Sequence, residues 1–90
     1  MPSYVVETYL ARGRAGERTA RELRARSAAE ELTRGTTRVR FDRSIHVPED
    51  EICFYVFDAP TAGDAAHAAH RAELDPIRIV EAVSSGKEEA

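Results

Sequence analysis

Tryptophan is absent from this 90-residue chain, and cysteine and methionine occur once each. A single cysteine excludes an internal disulfide framework and a four-cysteine zinc site. No apolar run approaches the roughly 18 residues that a membrane-spanning helix needs, and no signal-peptide pattern follows Met1. We therefore expect a cytoplasmic protein without membrane contact. Glycine-rich phosphate loops, nucleophile elbows and paired-cysteine motifs are missing, which removes the commonest enzyme signatures. Lysine is nearly absent, since twelve of the thirteen cations are arginine. Those arginines are interleaved with acids and the net charge is −3, so no basic stripe forms and nucleic acid is not an expected partner.

What remains is 42% hydrophobic and 32% charged, the composition of a globular domain. At this length one core is the limit. The expected domain covers residues 1–83, followed by a polar, frayed tail over 84–90. Residues 3–10 are rich in β-branched and aromatic side chains and read as a strand. Arg12, Gly13, Arg14, Ala15 and Gly16 then read as a flexible loop. Good helix formers fill residues 17–34, and Gly35 stands where the helix stops. Ala25, Ala28, Ala29 and Leu32 share one arc of that helix, with Leu23, Ala20 and Ser27 nearly opposite. Either the helix touches protein on two sides or its register shifts.

Residues 37–47 alternate, with Val39, Phe41, Ile45 and Val47 on one face and Arg38, Arg40, Asp42, Ser44 and His46 on the other. Arg43 breaks the rule, because its parity places it among the apolar residues. A polar turn at Pro48, Glu49 and Asp50 leads to residues 51–58, which are apolar on both faces and so belong to a central strand. Thr61 and Asp64 make an approximate capping box for a helix over 62–73 with an alanine stripe, and residues 77–83 form the last strand.

The order strand–helix–strand–strand–helix–strand is that of the ferredoxin-like α+β fold: a four-stranded antiparallel sheet with both helices on one face and the first and third strands central. Its other face is then bare, yet Ile52, Phe54 and Val56 or Cys53, Tyr55 and Phe57 must point to it. Soluble monomers rarely expose so large an apolar patch, so a homodimer with two sheets face to face, barrel-like, is expected.

Three stretches, VVETYL near the start, RSIHVPEDEICFYVFDAPTA in the middle and IRIVEAV at the end, resemble a family of small ferredoxin-like proteins classed as nickel-binding or of unknown function. The resemblance runs from Tyr4 to Val83 and implies a dimeric ferredoxin-like fold. Metal-binding members carry histidines in the first strand, where this chain has Thr8 and Tyr9, and His70 alone keeps a histidine position. Nickel is thus a possible cofactor with His70 as ligand, although one histidine is fewer than such a site requires.

Polar groups on apolar strand faces need partners when buried. Glu7, Arg43 and Glu81 are such groups, and their plain reading is an ion-pair network at the dimer interface. The sharper reading is a pocket between sheet and helices that binds a small organic molecule, with Tyr9, Phe41, Tyr55 and Glu81 as ligand-binding residues. The alternative is a cofactor-free enzyme of isomerase, cyclase or lyase type. There Arg43 would hold a carboxylate or enolate oxygen and Glu7 or His70 would act as base. His46 reads as solvated on a wet face, and Cys53 as a core residue.

Overall fold

The computed structural model describes residues 1–84. Of the expected tail, residues 85–90 lie outside the described residues. The strands are β1 (Ser3–Tyr9), β2 (Arg40–Val47), β3 (Ile52–Asp58) and β4 (Arg78–Ala82), and the helices are α1 (Arg18–Gly35) and α2 (Ala62–Arg71). They form one antiparallel sheet in the order β2-β3-β1-β4, the ferredoxin-like arrangement with β1 and β3 inside. No helix among the described residues is long and apolar enough to cross a membrane.

Small side chains set the helix-to-sheet distance. Ala25, Ala28 and Ala29 of α1 and Ala65, Ala68 and Ala69 of α2 are buried in one cluster with Tyr4, Val6, Phe41, Tyr55 and Phe57. Neither alternative for α1 holds: one face alone is packed, and Leu23 is 63% exposed. The amphipathic signal of α1 is weak because its buried face is mostly alanine while Leu23 and Ala20, also apolar, lie on the exposed side. In α2 the Thr61 hydroxyl accepts the Asp64 backbone N–H at 3.1 Å, which is the expected cap. Leu74 joins the core because the helix has already ended: Glu73 takes φ 58° and turns the chain inward.

The segment expected to be a flexible loop is a 3₁₀ turn, Arg12–Glu17. Its start is tied to the acidic turn after β2, for the Arg12 backbone N–H donates to the Glu51 carboxylate at 2.9 Å. A second tie closes the opposite end of the sheet. Asp58 is buried and accepts from Arg40 Nη2 at 2.5 Å and from Ser3 Oγ at 2.7 Å, which pins the register of β2, β3 and β1 together.

Strict alternation in β2 does not hold. Phe41 pairs with Phe57 but Arg43 pairs with Val56, so Asp42 is an extra residue that forms a bulge. One inserted residue swaps the faces of everything after it. Phe41 points to the helices with Ser44 and His46, while Arg43 and Ile45 turn to the open face. The bulge thus explains the parity of Arg43, which is exposed rather than buried among apolar residues, and corrects the reading of His46 as solvated.

Candidate functional site

Past the buried alanines of α1, the helix stands over the entry of β2. Thr33 Oγ1 donates to the Val39 carbonyl at 2.8 Å and accepts the Val39 N–H at 3.1 Å, while the Thr37 N–H reaches the Leu32 carbonyl at 3.1 Å. These bonds fold the chain back on itself and leave a cavity of about 540 Å³ between α1 and β2. Ala29, Val39 and Phe41 make its apolar floor, and Met1 closes one side. Its rim is basic: Arg26 and Arg34 come from α1, and Arg38 and Arg40 from the lead-in and first residue of β2.

The four arginines are not equivalent. Arg40 is committed to Asp58 through both Nε and Nη2. Arg26 lies over the Phe41 ring, its guanidinium carbon 5.3 Å from the centroid, an interaction worth about 0.5–1 kcal/mol at an exposed site. Arg26, Arg34 and Arg38 have no carboxylate partner among the described residues, and the one acid on the rim, Glu30, is likewise unpaired there.

A second polar group lies under the first turns of α1. Arg18 Nε donates to Ser44 Oγ at 2.8 Å, and the Ser44 hydroxyl donates to the Glu22 carboxylate. Behind them Tyr55 is fully buried, and neither its hydroxyl nor Nε2 of His46 has a hydrogen-bond partner among the described residues. Burial raises the Tyr55 phenol above its ordinary pKa of 10.0, the neighbouring Cys53 thiol pushes the same way, and the Arg21 guanidinium opposes both. A raised pKa means that the folded state holds the proton more tightly than the unfolded state. Its stabilising effect is complete below pH 10 and is lost as pH rises beyond it. Tyr55→Phe should therefore leave the melting temperature unchanged or slightly higher at pH 7, because the lost hydroxyl has no partner. Above about pH 10 the variant should gain on the wild type. Thermal melts of both proteins across pH 7–11 check this, and a clear drop in the pH 7 melting temperature would show that the hydroxyl is bonded.

The residues singled out in the sequence fall in three places. Glu7, Tyr9 and Arg43 are on the open face, where Glu7 pairs with Arg78 at 3.3 Å and Arg43 with Asp42 at 2.6 Å. Phe41 and Tyr55 are buried on the helix side, and Glu81 is on that side of β4 but exposed. His70 is exposed on α2. The sheet thus separates Glu7 and Arg43 from His70, and of all seven only Phe41 lines the α1–β2 cavity. Family models, curated proteins and solved structures were compared with the chain, and none matches.

The rim arginines were not singled out from the sequence. One signal was available: Arg26, Glu30 and Thr33 follow at i, i+4 and i+7, a stripe beside the buried alanine arc. That stripe becomes a wall only when β2 is laid against it.

Proposed function

We propose that this chain is a small-molecule-binding domain that works as a homodimer, with an organic ligand seated between α1 and β2. The observation that carries the reading is the preformed cavity of about 540 Å³ with an apolar floor and a basic rim, within the size range of small-molecule sites. Dimerisation is supported by the open sheet face, where Ile45 is 43% and Val80 39% exposed around half-buried Val5 and Phe54.

Nickel fits the residues less well. Such a site needs several nitrogen or oxygen ligands. His70 is exposed, and among the described residues no group of three or more histidine, cysteine, aspartate or glutamate side chains is placed to hold a metal ion. Acid–base chemistry by His70 with Arg43 is disfavoured by the sheet that lies between them, and on the open face Glu7 and Arg43 are each engaged by another partner, Arg78 and Asp42.

A ligand that binds only the folded state raises stability in proportion to the logarithm of its concentration once it exceeds its Kd. Melting the protein against a panel of small apolar, aromatic and carboxylate compounds should yield members that raise the midpoint progressively, by about 2.7 kcal/mol of stability at a hundredfold excess over Kd. A panel in which no compound moves the midpoint would count against the reading.

A further inference from the structure

We infer that the ligand of the α1–β2 cavity is an organic acid: an apolar body, flat or extended, carrying an ionised oxyanion group. This inference rests on the binding reading above and adds the chemical class. The chain as a whole carries −3, so it has no general attraction for anions. The cavity rim runs against that balance: among the described residues Arg26, Arg34 and Arg38 have no carboxylate partner, and Glu30 is the one opposing acid. Guanidinium groups bind carboxylate-type oxyanions through paired, charge-assisted hydrogen bonds, and do so best where one wall is apolar and water is partly excluded.

The lining also excludes alternatives. Sugars and nucleotides present several hydroxyl groups that need acceptors as well as donors, and on this rim the donors are many and Glu30 is the one acidic acceptor. The one hydroxyl on this rim, that of Thr33, is already used by the N–H and carbonyl of Val39. Inorganic anions would meet only the guanidinium groups and leave the mostly apolar lining unused. An acid whose body fills the mostly apolar lining beside the Arg26–Phe41 stack and whose oxyanion meets Arg34 and Arg38 satisfies both surfaces. Arg40 takes no part, because Asp58 holds it.

Two related dyes separate the class from the site. 1-Anilinonaphthalene-8-sulfonate has a flat apolar body with one negative charge, and N-phenyl-1-naphthylamine has the same body without it. Fluorescence titration of the full chain should show the sulfonate binding at least tenfold more tightly. Arg34→Ala and Arg38→Ala, both at exposed positions, should each weaken the sulfonate about two- to fivefold and leave the neutral dye unchanged. Glu30→Gln should tighten the sulfonate, and 0.5 M salt should weaken it. Equal binding of both dyes, indifferent to the arginine substitutions, would overturn the organic-acid class while leaving the cavity as the site. Sulfonate binding that responds to Phe54→Lys on the open face, and not to Arg34 or Arg38, would overturn it too. Failure of both dyes to bind would remove the binding reading and this inference with it.

Discussion

Phe57→Ala is expected to lose about 3–5 kcal/mol of stability, the range found when a buried aromatic ring is truncated to alanine. Phe57 has no exposure and sits on the central strand β3. Its ring centroid is 5.4 Å from that of Phe41 at an interplanar angle of 59°, and across the strand pair it faces Tyr4. The alanines of α1 and α2 above it have no long side chains with which to refill the space, so the cavity left behind stays open. A domain of this size has a total stability of about 5–13 kcal/mol, so the variant would be near the threshold of folding. Urea denaturation of the two proteins measures the difference. A loss below about 1 kcal/mol would mean that the ring is not part of the core.

Phe54→Lys, one residue class away on the same strand, should have the opposite profile: little effect on the fold of one chain and a large effect on association. Phe54 points to the open face, between Glu7 on β1 and Ile45 on β2. Around it lie Val5, Val56, Ile45 and Val80, with a depression of about 400 Å³ over Val5 and Val56. Both signs of charge are present there as the Glu7–Arg78 and Asp42–Arg43 pairs, so two copies can meet without a net repulsion. In the proposed face-to-face dimer a lysine at this position would be carried into the interface and lose its hydration. The dimer Kd should rise at least about a hundredfold, the effect of a central interface residue. Native mass spectrometry reads this directly, and the wild-type melting temperature should rise with protein concentration while that of the variant does not. A monomeric wild type, or a variant that remains dimeric, would refute the sheet-to-sheet arrangement.

The element order was legible in the sequence because propensity and punctuation agree: β-branched runs for β1 and β3, the Thr61 cap, Gly35 at the end of α1 and Pro48 after β2. The two-sided apolar run 52–57 also marked β3 as central. What escaped was the face assignment in β2. A bulge adds one residue without a compositional mark, and the odd parity of Arg43 was the only trace of Asp42 standing outside the ladder. That single error moved His46 inward and Arg43 outward, and with them the expected site. The cavity was not legible either. Its walls come from residues 26–34 and 38–41, which belong to different elements, and their convergence depends on how far α1 extends over β2. Phe41 was recognised as an apolar wall because hydrophobicity is a property of the residue. The arginines around it looked like an ordinary solvated surface because their meaning is a property of the neighbourhood.

Binding in the α1–β2 cavity is tested most directly by a two-dimensional amide NMR titration of the intact chain with 1-anilinonaphthalene-8-sulfonate. Saturable shifts should concentrate at Ala29, Thr33, Val39 and Phe41, the floor and back wall of the cavity. Shifts confined to Val5, Phe54 and Val56 on the open face, or no saturable shifts, would contradict it.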